Sequence, residues 1–162
     1  MMGVGKSAVG RELSTRTGWE FRDTDLMLQQ KLGRPVSQLF QVYGESAFRD
    51  HETAVLRSLE PEECILSTGG GIILRDDNWT ELRRLGVVMY LRADPSEILE
   101  RLRSSKKRRP LLQFDDWEDR FRNLMTAREQ YYRKADLIVE LSGADIEAAA
   151  EKAYEAFLGA DQ

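Results

Sequence analysis

The sequence predicts an α/β fold in three layers, with helices on both faces of a parallel sheet. Short apolar runs alternate with longer segments of helical periodicity along the whole chain. The clearest run, VVMYL at 87–91, is continuously apolar, which is typical of a strand buried on both faces of a parallel sheet. No Pro-, Gly- or Ser-rich linker interrupts the 162 residues, so we expect a single domain.

The N-terminal half is predicted to hold four helices and two strands. Apolar residues at helical spacing predict helices at 6–17, 26–32, 35–43 and 46–59, and short apolar runs predict strands at 19–22 and 64–66. Gly18 and Gly33 directly follow two of these helices and are expected to close them. The triplet DTD at 23–25 therefore falls where a strand ends.

The C-terminal half continues the alternation. Helices are predicted at 78–85, 95–103, 117–132 and 146–157, and strands at 87–91 and 136–141. Asp94 is placed to cap the helix that begins at Pro95. The stretch SSKKRRPLLQFDD at 104–116 breaks the periodicity and carries four consecutive basic residues, so we expect a loop there.

Composition narrows the function classes. With 24 basic and 28 acidic residues the formal net charge is −4, which gives no reason to expect nucleic acid or an acidic membrane surface as a partner. The single cysteine, Cys64, excludes an internal disulfide and a cysteine-based metal site, and we expect it in the core. No membrane span or signal sequence is recognisable, so a cytoplasmic location is expected.

The first candidate for chemistry is the segment GVGKS at 3–7. It matches the back half of the phosphate-binding pattern G-x-x-x-x-G-K-[ST], whose first glycine would lie before Met1. Glycines admit phosphate oxygens close to backbone N–H groups, a lysine reaches the terminal phosphates, and a serine hydroxyl coordinates Mg²⁺. The alternative is an ordinary helix start that happens to carry Lys6.

Two further segments follow predicted strands. Asp23 and Asp25 could divide the work of holding a metal and orienting a substrate hydroxyl, whereas the alternative is that Asp25 only caps the helix at 26–32. STGGG at 67–71 places three glycines after a buried strand, a costly arrangement that is kept where backbone must approach a ligand. Ligands of open parallel sheets bind at the carboxyl ends of strands.

Arginines are candidate anion clamps because guanidinium groups bind carboxylates and phosphates in bidentate fashion. Arg49 and Arg128 lie on predicted helices, and Arg108 and Arg109 precede Pro110 in the basic loop. For each of them alone, a solvated surface charge is the plainer interpretation, and KKRR would ordinarily be a solvated face or a nucleic-acid patch. His51 has no histidine or cysteine at metal-ligand spacing and is interpreted as a bystander.

Taken in order, G-x-G-K-S, D-T-D, F-R, G-G-G and R-P-L-L resemble the shikimate kinase family, from Met1 to about Leu141. The resemblance implies a P-loop kinase fold with the parallel strand order 2-3-1-4-5, of which the first strand is missing here. It also implies phosphorylation of the 3-hydroxyl of shikimate by MgATP, a step towards chorismate and the aromatic amino acids. We expect a monomer, with a substrate-binding subdomain at about 24–57 and a lid at about 104–116.

The resemblance also assigns roles to residues. Lys6, Asp25 and Arg109 match the catalytic positions, with Asp25 as proton acceptor and Arg109 as the lid arginine. ATP is expected to contact Gly3, Val4, Gly5, Lys6, Ser7, Ala8, Arg101 and Arg109, and Mg²⁺ to be held by Ser7 and Asp23. Shikimate is expected to contact Asp25, Arg49, Glu52, Gly69, Gly70, Gly71 and Arg128.

The chain departs from the family pattern at three places. Gln29 stands where the family usually has Glu, and the lid is one residue longer than usual, so that Arg103 is an alternative to Arg101 beside adenine. Without the first strand, we expect poor stability and weak ATP binding. Two other functions stay open: another small-molecule kinase of this fold, such as a gluconate kinase, and a catalytically silent relative that only binds.

Overall fold

The computed structural model describes residues 3–104 and 114–160. In chain order these form α1 (Lys6–Thr17), β1 (Glu20–Asp23), α2 (Thr24–Leu32), α3 (Val36–Arg57), β2 (Cys64–Ser67), a 3₁₀ turn (Ile72–Leu74), α4 (Asp76–Leu85), β3 (Met89–Arg92), α5 (Pro95–Ser104), α6 (Trp117–Tyr132), β4 (Leu137–Glu140) and α7 (Ile146–Ala160). The predicted alternation of helices and strands is confirmed. No helix in these two ranges is long and apolar enough to cross a membrane.

Within the described ranges, the strands form two separate parallel pairs. β1 pairs with β2, and β3 pairs with β4. Glu20 lies opposite Cys64 and Asp23 opposite Ser67 in the first pair, and Met89 lies opposite Leu137 in the second. Parallel pairs joined through helices are the expected α/β arrangement.

A cavity of about 470 Å³ separates the two pairs. Residues of both facing strands line it, among them Ile65 and Leu66 of β2 and Met89, Tyr90 and Leu91 of β3. The pairs β1-β2 and β3-β4 correspond to the neighbouring strands 2-3 and 4-5 of the expected order 2-3-1-4-5. The β3 strand is accordingly only half-buried apart from Tyr90, whereas the sequence predicted burial on both faces.

Two apolar clusters hold the helices in place. The larger one includes Val9, Ile98, Phe121 and Leu141, and it joins α1, α5, α6 and α7 to the strands. The smaller one consists of Leu28, Leu39, Phe48 and Val55 and packs α2 against α3. The part of the chain predicted to form a substrate-binding subdomain thus has a cluster of its own.

The two helices predicted at 35–43 and 46–59 are confirmed as the two helical segments of α3, which meet at Gly44. Gly44 has φ of 75° and ψ of 170° within α3, so the axis breaks where the prediction placed the gap. Gln29, the departure from the family pattern, accepts a hydrogen bond from the Val36 backbone N–H at 3.3 Å. Its amide thereby satisfies one of the unpaired N–H groups at the start of α3.

Candidate active site

The phosphate-loop candidate opens α1. Gly3 and Gly5 have φ of 82° and 98°, a left-handed conformation that glycine adopts without strain. Gly5 is the N-cap of α1, and its carbonyl accepts hydrogen bonds from the N–H groups of Ala8 and Val9 at 2.9 Å each. Val4 is buried beneath the loop. The first N–H groups of α1 therefore lie at a helix N-terminus, where the dipole favours an anion.

Ser7 and Asp23 meet in front of this loop. The Ser7 hydroxyl donates to Asp23 Oδ2 at 3.2 Å, across the gap between the start of α1 and the end of β1. A hydroxyl and a carboxylate are hard oxygen donors, and Mg²⁺ is commonly held by one or two such protein oxygens with water and phosphate completing its shell. The pair therefore fits the expected metal. In residues 3–104 and 114–160 no cluster of three acidic, histidine or cysteine side chains suggests a denser metal site.

The cap of α2 is Asp23 and not Asp25, so the alternative interpretation of Asp25 is wrong. Asp23 Oδ1 accepts from the N–H groups of Asp25 at 3.0 Å and Leu26 at 3.4 Å. The extended backbone of Asp23 turns its carboxylate back over the first turn, as N-caps require. One carboxylate oxygen of Asp23 thus caps α2 and the other accepts from Ser7. The Asp25 side chain does not cap the helix.

Asp25 and Glu52 approach each other beside the glycine loop. A Cβ added at Gly69 would lie 2.8 Å from Asp25 Oδ1 and 2.9 Å from Glu52 Oε1, so any other residue there would displace the two carboxylates. Burial, reinforced by the charge of Asp23, raises the pKa of Asp25, and the charges of Lys6 and Arg49 oppose this. Burial likewise raises the pKa of Glu52 despite its hydrogen bond to Arg49.

Arg49 is held on three sides. Its Nη1 donates to the buried Glu52 at 2.6 Å and its Nη2 to the exposed Glu45 at 3.3 Å. The guanidinium lies 5.5 Å from the ring centroids of both Phe40 and Phe48. A side chain at position 71 would overlap this guanidinium, so Gly71 is what allows Arg49 to lie against the loop.

Arg128 reaches the same loop from α6. Its Nη1 donates to the Gly70 carbonyl at 3.4 Å. The structure thus brings Asp25, Arg49 and Arg128 to one glycine-rich loop from three different helices. All three were candidates from the sequence.

The nucleotide-side arginines are distributed differently. Arg101 lies beside the phosphate loop, with its Nη1 3.5 Å from the Val4 carbonyl oxygen. Arg103 instead makes a two-pronged ion pair with Glu118 at 2.7 and 2.8 Å. Of the two alternatives, Arg101 is therefore the one placed next to the loop. Arg108 and Arg109, with most of the expected lid, lie outside the described residues.

Two hydroxyls at the glycine loop were not among the sequence candidates. The buried Thr24 accepts a hydrogen bond from the Gly69 N–H at 3.2 Å, and Tyr132 donates to the Gly70 carbonyl at 2.6 Å. The only sequence signal was position: Thr24 stands inside DTD, and Tyr132 stands four residues after Arg128 on one helix face.

Comparisons with known proteins agree on one family. The family model described as shikimate kinase matches residues 2–157. A shikimate kinase of Thermodesulfovibrio yellowstonii is 38% identical over 152 residues, which cover 93% of this chain and 87% of the relative. Among solved structures, shikimate kinase from Acinetobacter baumannii in complex with shikimate aligns with a TM-score of 0.90 and 35% identity, covering 98% of this chain and 89% of that one.

The gluconate kinase alternative has much weaker support. A gluconokinase from Sinorhizobium meliloti aligns with a TM-score of 0.55 at 18% identity, which shows a shared fold and nothing more. The shikimate kinase family model, by contrast, matches nearly the whole chain. The chain belongs to the shikimate kinase family.

Proposed function

We propose that this protein transfers the γ-phosphoryl group of ATP to the 3-hydroxyl of shikimate, which forms shikimate 3-phosphate on the route to chorismate and the aromatic amino acids. The observation that carries the proposal is the convergence of Arg49, Arg128 and Asp25 on one glycine loop. Two guanidiniums suit a carboxylate and a nearby aspartate suits a hydroxyl, so the site is complementary to a hydroxylated acid.

The nucleotide side is assigned to residues 3–8. Their N–H groups and Lys6 bind the phosphates of ATP, Arg101 lies beside the nucleotide, and Arg109 closes over it. Ser7 and Asp23 hold Mg²⁺, which when bound neutralises charge on the phosphates. Binding in this way aligns the terminal phosphate with the acceptor, and positioning of this kind supplies most of the catalysis in phosphoryl transfer.

The acceptor side is assigned to Asp25, the two arginines and the glycines. Arg49 and Arg128 fix the carboxylate of shikimate, Glu52 orients Arg49, and Gly69 to Gly71 let the ring approach the backbone. Asp25 accepts the proton of the 3-hydroxyl. Its raised pKa makes it a stronger proton acceptor than an ordinary aspartate.

The proposed function also implies an oligomeric state, a location and a set of partners. We propose that the protein acts as a monomer in the cytoplasm on small molecules, without nucleic acid or a membrane as partner. The net charge of −4 supports a function that does not depend on polyanion binding.

A coupled assay of ADP formation tests the proposal. Purified protein with MgATP is expected to release ADP only when shikimate is present, and gluconate at the same concentration is expected to give none. Asp25→Asn keeps the shape of the side chain and removes the proton acceptor, so kcat should fall by about 10²- to 10⁴-fold. ADP formation with gluconate but not shikimate would overturn the substrate. No turnover with either would favour a silent relative.

A further inference from the structure

The glycine loop is fixed from the side of α6 by a pair of stacked tyrosines. Tyr132, the last residue of α6, is only 5% exposed, and its ring stacks on that of Tyr90 with centroids 4.9 Å apart and planes 16° apart. The Tyr90 hydroxyl donates in turn to Glu129 Oε2 at 2.9 Å, one turn earlier on α6. The ring of Tyr132 therefore has little freedom to turn.

The Tyr132 hydroxyl and Arg128 share one acceptor, the Gly70 carbonyl, whose oxygen can take both hydrogen bonds. The hydroxyl donates to the Gly70 carbonyl at 2.6 Å, whereas Arg128 Nη1 is 3.4 Å from that oxygen, at the weak end of hydrogen-bond geometry. The carbonyl is thus satisfied mainly by the tyrosine. Arg128 also donates a hydrogen bond to the Tyr132 hydroxyl, so the tyrosine contacts both the loop carbonyl and the guanidinium.

We infer that Tyr132 is a positioning residue for the acceptor substrate: its hydroxyl holds the Gly70 carbonyl and Arg128 in place relative to each other, for binding of the substrate carboxylate. The inference rests on the proposed function for the identity of that substrate. Tyr132 touches neither reactant in this account, and it acts through Gly70 and Arg128. Burial raises the pKa of Tyr132, so its hydroxyl keeps its proton and stays a donor at neutral pH.

Tyr132→Phe tests the inference because it removes one hydroxyl and keeps the stacked ring. The Gly70 carbonyl and Arg128 then lose the hydroxyl that contacts both of them, so KM for shikimate should rise about three- to tenfold, the range of one net hydrogen bond. KM for ATP should stay within twofold, since the phosphate loop is untouched.

Tyr90→Phe is the matched control: it also loses one hydroxyl of the same stacked pair, but that hydroxyl bonds Glu129 and not the loop.

A second readout does not depend on activity. The amide NMR signals of Gly69, Gly70 and Gly71 should shift in Tyr132→Phe and keep their wild-type positions in Tyr90→Phe. An unchanged KM for shikimate with unchanged loop signals would overturn the inference, as would equal effects of the two variants on both readouts. If the wild type shows no shikimate-dependent ADP formation, the proposed function fails, and the loop signals alone then decide whether Tyr132 positions the loop.

Discussion

At the scale of single residues, the proposed shikimate site contains charged side chains that are buried away from water. Glu52 is 2% exposed, and its partner Arg49 has a buried Nε without a hydrogen-bond partner among the described residues. Buried charges are costly unless they are paired, and sites that retain them usually do so for function. The Nε donor of Arg49 is consistent with a site that still has room for an acceptor from a ligand.

The buried Glu52 gives a prediction for stability against pH. Because burial raises its pKa in the folded state, the folded protein keeps the proton after the unfolded chain has lost it. Its contribution to stability is therefore complete below the unfolded pKa of about 4.3 and is lost as the pH rises through the raised value. In Glu52→Gln this loss is absent, so its free energy of unfolding relative to wild type should increase from about pH 4 to 7.

Urea unfolding at several pH values measures this difference. Glu45→Gln is the matched control, because Glu45 also bonds Arg49 but lies in water, with its side chain 67% exposed. Its pH profile should run parallel to that of the wild type. Parallel profiles for Glu52→Gln and the wild type would contradict the prediction.

The residues that sequence reasoning missed share one physical property. Thr24 bonds a group 45 residues away and Tyr132 a group 62 residues away. Contacts between residues so far apart along the chain produce no recognisable spacing in the sequence. The glycines and the lysine of a phosphate loop do, because they are neighbours in one short loop. Charged residues in motifs were therefore found, and the neutral hydroxyls that orient the loop between them were not.

At the scale of elements, capping residues determine where the helices end, and the paired neighbouring strand determines where a strand begins. Gly18 and Gly33 end their helices as predicted, with their N–H groups bonded to the Ser14 and Gln29 carbonyls. The strand predicted at 87–91 instead begins at Met89, where its partner Leu137 begins. Val87 precedes the paired residues and is 50% exposed. An apolar residue forms part of a strand only where a neighbouring strand pairs with it.

The contact of α1 with the first strand pair gives a second prediction. Gly10 lies in α1 over the sheet, where an added Cβ would be 2.6 Å from Phe21 and 3.5 Å from Ile65. Gly159 in α7 has no atom within 4 Å of such a Cβ. Both changes to alanine gain helix propensity, at most about 1 kcal/mol each, but only Gly10→Ala also overpacks, at a cost of about 1 to 3 kcal/mol.

We therefore expect Gly10→Ala to be less stable than Gly159→Ala by about 1 to 3 kcal/mol, as measured by urea unfolding. The comparison between the variants largely cancels the propensity gain and isolates the packing of α1 on β1 and β2. Equal stability of the two variants would show that Phe21 moves aside without cost.

At the scale of the whole molecule, the two parallel strand pairs of residues 3–104 and 114–160 are joined by helices and not by a strand between them. α1 packs on β2 and on α7, and α7 packs on β4. Arg16 of α1 adds ion pairs to Glu147 and Glu151 of α7, but these are partly exposed and contribute little. The carboxyl ends of β1 and β2 nevertheless place Asp23 and the glycine loop beside the start of α1. The catalytic edge is therefore assembled on one half of the molecule, with α6 bringing Arg128 from the other.

The divided sheet gives the last prediction, which concerns hydrogen exchange. In a parallel strand alternate N–H groups point to opposite sides. In β2 and β3 one side meets a paired strand and the other meets the cavity of about 470 Å³. Alternate amides of Cys64–Ser67 and Met89–Arg92 should therefore exchange many times faster than their neighbours in native-state NMR experiments. The partner strands β1 and β4 supply the reference for paired amides. Uniformly slow exchange along β2 and β3 would contradict the prediction.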